Sequence, residues 1–314
     1  MARVSAIPRA TRQRSDEAKG NWFRKAGAVY AGQFLVAPLA IIVLVFFLAP
    51  LAVLLFMSMQ DWPLLGQPKW AGFDNFAAVS TNELFIDAIT FTLVYTVLTT
   101  VLIFAVSFVL VAVSNTPRRG AKFYRTAFFL PYVVGTGAAS LIWLAAVNNH
   151  NGIANHVLET MGLTSGPFGF LDTAGKALFT TVTLVVWKFI GFQVIVLLVG
   201  LQSVPTELYE AAQLDGAGVI QRIRYVTLPH LRPILALLLI LSVTGSVLAF
   251  DQFQVLTHGG PDSSTVTLVM AIYDTAFKQF SLGKAAALSV VLLAALILLN
   301  FLQLFALRRK GDDS

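Results

Sequence analysis

Two ionisable side chains lie within long apolar stretches of this sequence, where a charge is costly to bury. Lys188 stands midway through one stretch, and Asp251 stands near the end of another. The residues beside them can hydrogen-bond to a solute or stack on it, and they are Trp187, Gln193, Gln252 and Gln254. Amides and carboxylates bind hydroxyl groups, and aromatic faces cover sugar rings. This combination predicts a polar pathway that recognises a sugar, although both charges could instead satisfy polar groups of neighbouring helices.

The sequence contains no set of residues that would catalyse a reaction. It has no cysteine, which excludes disulfides and thiolate nucleophiles, and its four histidines are scattered, so we predict no metal site. It lacks a phosphate-binding loop of the Gly-x-x-x-x-Gly-Lys-Ser/Thr type, and it also lacks the Gly-x-Ser-x-Gly and His-Glu-x-x-His motifs. We therefore expect a non-catalytic chain without a cofactor of its own, for which any energy from ATP must come from another protein.

The composition is that of an integral membrane protein. Of the 314 residues, 57% are hydrophobic and 12% are charged, and the mean hydropathy is +0.75, whereas about one quarter of a soluble domain is charged. Six stretches are long enough to cross a bilayer, which takes about 20 apolar residues. They are residues 34–59, 87–113, 123–147, 177–201, 233–256 and 285–307. The predicted fold is all-α, with a six-span domain over 34–307 and tails at 1–33 and 308–314.

The basic residues predict the orientation of the spans. Most of the 22 lysines and arginines lie in the N-terminal tail, the 114–125 loop, the loop around Arg222 and the C-terminal tail. Positive charge is retained on the cytoplasmic side, so both termini and these two loops are predicted to be cytoplasmic. The predicted outer loops are 60–86, 148–176 and 257–284. We also expect an interfacial helix at Trp22–Tyr30 and a helix at 266–280 near the outer surface.

One segment, residues 203–233, is too polar to span a bilayer and too regular to be a plain linker. Apolar residues before and after Gly216 follow the helical period on two different faces. Gly216 suits the left-handed residue that ends a helix, and Pro229 disfavours continuation of a helix through it. We therefore predict two short helices with a bend at Gly216, the second of which ends at Pro229.

The spacing within this segment resembles the EAA signature of binding-protein-dependent ABC importer permeases. The matching positions are Glu210-Ala211-Ala212, Gly216, Val226 and Leu228-Pro229, with Val226 where isoleucine is usual. Asp215 and Pro233 extend the likeness to the carbohydrate-uptake branch, to which the maltose, trehalose and glycerol-3-phosphate permeases belong. The run from Phe250 to Pro261 also resembles that branch, with His258 in place of a glycine. The resemblance covers nearly the whole chain from about residue 33 onward.

The resemblance implies a type I ABC importer permease fold, a place in the bacterial plasma (inner) membrane and a role in sugar import. In that family the two short helices insert into a cleft of a nucleotide-binding ATPase subunit. By position, the residues of this docking contact would be Glu210 and Gly216 at its centre, with Ala211, Ala212, Asp215, Leu228 and Pro229 around them. The implied partners are two ATPase subunits that bind ATP and Mg²⁺, a second homologous permease and an extracytoplasmic solute-binding protein.

The residues themselves leave the substrate open. A polar pathway fits sugars, polyols and glycerophosphodiesters, and Lys188 would permit an anionic solute. An ion-coupled secondary transporter is an alternative of a different class, but such transporters contain inverted repeats with broken spans in matching halves. No repeat of that kind is visible in the sequence. Nucleic acid is not expected as a partner, because the basic residues flank spans instead of forming a recognition surface.

Overall fold

The computed structural model describes residues 36–63, 65–114 and 121–308. The predicted helix at Trp22–Tyr30 and most of both tails lie outside the described residues, so the cytoplasmic orientation of the termini stays a prediction. The chain divides into two compact units, Met1–Phe56 and Met57–Ser314. The described part of the first unit belongs to a helix that runs over Val36–Ser58 (α1) and matches the first predicted span.

Helices account for most of the second unit. A two-stranded antiparallel sheet, Gln60–Asp61 (β1) with Lys69–Trp70 (β2), precedes them. The helices up to the polar segment are Asp74–Val79 (α2), Glu83–Ser114 (α3), Ala121–Val133 (α4), Thr136–Ala146 (α5), Ile153–Thr160 (α6) and Ala174–Gln202 (α7). The remaining helices are Thr206–Leu214 (α8), Val219–Val247 (α9), Asp251–Leu256 (α10), Leu268–Tyr273 (α11) and Leu282–Arg308 (α12).

Five helices of the described residues are long and apolar enough to cross a membrane, namely α1, α3, α7, α9 and α12. They confirm the first, second, fourth and sixth predicted spans to within a few residues. The third predicted span is not one straight helix, because α4 and α5 meet at an angle of 106°. Gly135 lies at this break with an extended ψ of 145°, and the backbone hydrogen bonds of a continuous helix are lost there.

The fifth predicted span, residues 233–256, was wrong at both ends. Helix α9 begins at Val219, passes through Pro229 and ends at Val247, and Asp251 opens the separate helix α10. The predicted stop at Pro229 is therefore also wrong. Because proline lacks an N–H group and its ring crowds the preceding turn, the turn before it is widened: Ile223–Thr227 is π-helical, and the Leu228 N–H reaches the carbonyl five residues back.

The same arrangement occurs in α1. A π-helical turn over Leu44–Leu48 precedes Pro50, and the Ala49 N–H donates to the carbonyl oxygen of Leu44. In both helices the proline stands two residues after the widened turn. A wider turn moves the preceding carbonyls away from the ring, so that the helix continues past the proline.

The core of the second unit surrounds helix α10. The Phe253 side chain is fully buried and makes edge-to-face contacts with Phe91 at 5.2 Å and Tyr95 at 4.9 Å. The predicted outer helix at 266–280 exists as α11 and the π-helical turn that follows it. One side of it packs in the core of this unit, where Leu268 and Met270 are buried, whereas Tyr273 and Phe277 are exposed. Its place near the outer surface of the membrane stays a prediction. The Leu268 N–H also donates to the Thr92 hydroxyl of α3 at 3.1 Å.

Candidate functional site

The break between α4 and α5 is held by Lys188 of α7. Its Nζ atom donates to the carbonyl oxygen of Tyr132 at 3.3 Å and also to that of Val134, and both carbonyls belong to the broken stretch. The ammonium lies 5.1 Å from the centre of the Phe189 ring, and the residue is only 3% exposed. A buried charge is tolerated where hydrogen bonds satisfy it. In this structure the hydrogen bonds of Lys188 go to carbonyls that the break leaves without helical partners.

A cavity of about 380 Å³ lies beside this break. Its walls come from α3, α5, α7, α9 and α10, together with the last turn of α4. The Tyr132 and Phe192 rings stack at 4.8 Å on one wall with an interplanar angle of 13°. Apolar residues of α9, among them Leu238 and Leu241, line another. A cavity with aromatic walls and a few polar groups has the composition of a small-molecule site.

Three of the predicted pathway residues line this cavity: Gln193, Asp251 and Gln252. Gln193 is buried, and its Nε2 donates to the Ser107 hydroxyl of α3 at 3.2 Å. The buried Gln252 donates from Nε2 to the hydroxyl oxygen of Tyr95 at 3.1 Å. Asp251 is exposed and opens α10. The two amides are therefore fixed by neighbouring helices, whereas the carboxylate is accessible to a solute.

The other three predicted pathway residues do not line the cavity. Lys188 is engaged at the break, and no ion pair joins it to Asp251 within the described residues. Trp187 packs against Trp143 with ring centres 5.5 Å apart. Gln254 lies half-buried on α10, where its Oε1 atom has no hydrogen-bond partner. Of the two charged residues of the predicted pathway, the structure therefore places Asp251 in the lining of the cavity and Lys188 outside it.

Sequence reasoning missed most of the remaining wall. The residues concerned are Tyr95, Tyr132, Thr136, Phe189, Phe192, Ser242, Ser246 and Phe250. Hydroxyl groups and aromatic rings are common in membrane helices, so none of these residues is conspicuous alone. The usable signal was the pair Ser242 and Ser246, which stand one helical turn apart and share a face of α9.

A second candidate site is the polar segment between α7 and the apolar part of α9. Gly216 follows α8 with a φ of +75°, which confirms the predicted left-handed residue at a bend. The Gly216 N–H donates to the backbone carbonyl oxygen of Gln213 at 3.1 Å, and the Ala217 N–H donates to that of Ala212 at 2.9 Å. These two bonds form a Schellman motif, which satisfies the last carbonyls of the helix. Gly218 caps the start of α9, and its N–H donates to the side-chain oxygen of Gln221 in the first turn of that helix at 2.8 Å.

This segment presents apolar side chains that are left largely uncovered by the described residues. Leu214 is 90% exposed and Ile220 is 81% exposed. The residues of the predicted docking contact surround them: Glu210, Ala211, Asp215, Gly216 and Leu228 are exposed, and Ala212 and Pro229 are half-buried. A hydrogen bond of 2.9 Å between the Tyr209 and Thr227 hydroxyls ties α8 to α9. The segment is therefore a tied helix pair with an uncovered apolar edge, as expected of a surface that binds another protein.

Comparison with known proteins gives the family. A family model described as the binding-protein-dependent transport system inner membrane component matches residues 76–311. The chain is 34% identical over 273 residues to the sn-glycerol-3-phosphate transport system permease protein UgpA of Escherichia coli O157:H7, and the match covers 86% of this chain and 91% of that protein. The UgpA protein of Salmonella typhimurium gives the same values.

Solved structures show the same fold. A bacterial ABC transporter that imports the acidic polysaccharide alginate contains a chain that superimposes with a TM-score of 0.80 at 23% identity, covering 92% of this chain and 99% of that chain. The alginate transporter in complex with its pentasaccharide-bound periplasmic protein gives a TM-score of 0.79. The predicted type I importer fold is thus confirmed. This chain belongs to the family of binding-protein-dependent transport system inner membrane components, the multi-pass permeases of ABC importers.

Proposed function

We propose that this chain forms half of the translocation pathway of an ATP-driven sugar importer, and that α8 and the start of α9 dock on a separate ATPase subunit. The observation that carries this proposal is the continuity of α9. Its first turns belong to the exposed segment after Gly216, and its later turns, including Ser242 and Ser246, line the cavity. At 1.5 Å per residue this helix is about 40 Å long, so a single rigid element joins the docking surface to the pathway.

The exposed edge of the docking segment supports the ATPase as its partner. The chain has no phosphate-binding loop, so ATP and Mg²⁺ would bind to the partner subunit. Glu210 and Asp215 offer negative charge beside the apolar Leu214 and Ile220, a mixture that fits a specific protein contact. Movement of a partner against this segment would tilt α9 as a rigid body and open or close the cavity.

The walls of the cavity support a sugar as cargo. Stacked aromatic rings such as Tyr132 and Phe192 can cover a pyranose face, while Gln193, Gln252 and Asp251 supply amides and a carboxylate for hydroxyl groups. The relatives named above carry glycerol-3-phosphate and alginate. Polyols and glycerophosphodiesters could be imported by the same mechanism. The family assignment disfavours the ion-coupled secondary transporter as the alternative class.

The remaining subunits follow from the same proposal. A second, homologous permease would complete the pathway around a pseudo-twofold axis, and a solute-binding protein would dock on the predicted outer loops. The described part of those loops includes the sheet of β1 and β2, the short helix α6 and the segment after α10. The family description requires a binding protein for transport. We expect that protein to select the cargo before the cavity receives it.

Co-purification and reconstituted uptake test the proposal. An affinity tag on this chain should bring down an ATPase subunit and a second permease from the native host. Proteoliposomes that contain the complex should accumulate a sugar only when ATP and the cognate binding protein are both supplied. A thermal-shift screen of that binding protein against sugars, polyols and glycerophosphodiesters should identify the compound to use. Uptake by the purified chain alone, driven by a proton or sodium gradient, would refute the proposal.

A further inference from the structure

The fixed charge that lines the cavity is negative. The lining residues all lie in the described part of the chain, and they include no lysine or arginine and one acidic residue, Asp251. Its carboxylate is exposed, and no salt bridge to it is formed within the described residues. An anion that entered the cavity would approach this unpaired negative charge, so the local field opposes it.

Lys188 lies behind the wall of the cavity, with its ammonium 5.1 Å from the centre of the Phe189 ring and 5.9 Å from that of the Tyr132 ring, both of which line the cavity. Its charge is therefore enclosed by the protein, whereas the Asp251 carboxylate is the one that a solute can reach. Lys188 is absent from the lining of the cavity, and its ammonium donates to the carbonyl oxygens of Tyr132 and Val134. A lysine ammonium has three donors, and these bonds direct it towards the backbone of the break. The charge that could have served an anionic solute is instead used to hold the wall of the cavity.

The remaining polar groups suit hydroxyl groups that carry no charge. The Gln252 amide and the Tyr95 hydroxyl form a fixed pair, in which the amide oxygen stays free to accept. The Thr136 and Ser242 hydroxyls, on different walls, can donate or accept. A carboxylate likewise accepts from hydroxyl donors. Such a set binds a polyol or sugar through several neutral hydrogen bonds, and it has no lysine or arginine with which to bind a phosphate or uronate.

From these observations we infer that this half of the pathway accepts uncharged polyhydroxyl solutes and discriminates against anions. The inference rests on the proposed function, because it assigns a substrate class to the same cavity. It assigns the selectivity to Asp251, whereas Lys188, which the sequence alone would have allowed to serve an anionic solute, is bound to the backbone of the break.

Thiol modification can measure the field in the cavity directly, because the natural chain has no cysteine. The variant Ser242→Cys would be incorporated into the assembled complex and treated with methanethiosulfonates that carry a 2-sulfonatoethyl, a 2-hydroxyethyl or a 2-(trimethylammonium)ethyl group. Mass spectrometry of this chain would give each rate, normalised to the rate of the same reagent with 2-mercaptoethanol. The complex without the substitution provides the background. Thr136→Cys repeats the measurement from another wall if the first variant does not assemble.

The normalised rate should be lowest for the anionic reagent. We expect a deficit of about three- to tenfold against the neutral reagent, as one unit charge several ångströms away produces in a partly hydrated site. Adding Asp251→Asn should remove most of this deficit. An anionic reagent that reacts as fast as the neutral one, or a deficit that survives Asp251→Asn, would overturn the inference while leaving the importer intact. If no reagent reaches either thiol, the cavity is not an aqueous pathway and the proposed function loses its site.

Discussion

The Lys188 ammonium donates a hydrogen bond to the carbonyl oxygen of Val134. Val134 and Gly135 form the break at which α4 and α5 meet at an angle of 106°. Lys188 and Val134 are 54 positions apart in the chain. Through this contact α7 fixes the angle between α4 and α5, and therefore the positions of Tyr132 and Thr136 on the wall of the cavity. A charged side chain inside a membrane protein is thus used here to complete a broken backbone.

Replacing Lys188 with methionine tests this role. The apolar stem would still pack, but two half-buried carbonyls would lose their donor, so we expect the complex to be destabilised by about 2–4 kcal/mol. The change can be measured as the free energy of unfolding of the purified complex. The affinity for an anionic solute should not be affected selectively.

Lys284→Met is the matched control, because Lys284 is exposed on α12 and forms no ion pair within the described residues. Surface substitutions of this kind usually change stability by about 0.5 kcal/mol or less, so this variant should be close to the parent in stability. A stable Lys188→Met complex that loses affinity for anions alone would show that Lys188 binds substrate instead of holding the break.

The contact between α4 and α7 also depends on Gly191. A methyl group at this position would collide with the carbonyl oxygen of Phe128. The Cα atom of Phe129 is also too close for the methyl group to avoid that oxygen. Gly191→Ala should therefore separate the two helices and cost about 1–3 kcal/mol. Thermal unfolding of the complex measures the loss. Gly175→Ala, on the same helix with no atom within 4 Å of the new methyl group, should have no such effect.

Local patterns explain which parts of this structure could be predicted. Long apolar runs are sufficient for α1, α3, α7 and α12, because a membrane span depends mainly on length and hydrophobicity. The bend at Gly216 could also be predicted, since a glycine between two helical periods marks a left-handed residue. Neither conclusion needs information about distant residues.

Tertiary contacts explain which parts could not be predicted. The direction of the Lys188 side chain depends on a break in another helix, and nothing near Lys188 in the sequence announces that break. Pro229 appeared to end a helix, but the widened turn at Ile223–Thr227 carries the helix through it. Asp251 appeared to lie inside a span because Val247 and Phe250 are apolar, yet the chain leaves the helix between them.

Charge reversal at Glu210 tests the docking surface. Glu210 is exposed on α8, near the uncovered Leu214, so Glu210→Lys should leave the helix intact while placing the wrong charge against the ATPase subunit. We expect about a tenfold weaker association, equivalent to roughly 1.4 kcal/mol. The affinity of the detergent-solubilised permease pair for the ATPase subunit can be measured by biolayer interferometry.

Glu159→Lys on α6 is the charge-matched control, because Glu159 is also exposed on a helix but lies in a predicted outer loop. It should not change the affinity for the ATPase subunit. Equal affinities for the Glu210→Lys and Glu159→Lys complexes would remove Glu210 from the docking contact.

The conformation of Gly216 predicts a variant that assembles but does not couple. A Cβ atom at this position meets no atom of the described residues within 4 Å, so Gly216 is not required for want of space. The φ of +75° is nevertheless unfavourable for a β-branched residue, at a cost of about 1–2 kcal/mol. We expect the bend to shift, so that α9 no longer follows the ATPase subunit. Proteoliposomes should then hydrolyse ATP with little uptake.

Two further substitutions separate backbone strain from the loss of a glycine as such. Asparagine tolerates the left-handed conformation better than other side chains, so Gly216→Asn should restore much of the uptake per ATP hydrolysed. Gly218→Ala lies in the same bend at a negative φ of −68°, with Gln221 at an ordinary contact distance of 3.7 Å, and should remain coupled. If Gly216→Val transports as well as Gly218→Ala, the left-handed residue has no part in transmitting movement from the docking segment to the cavity.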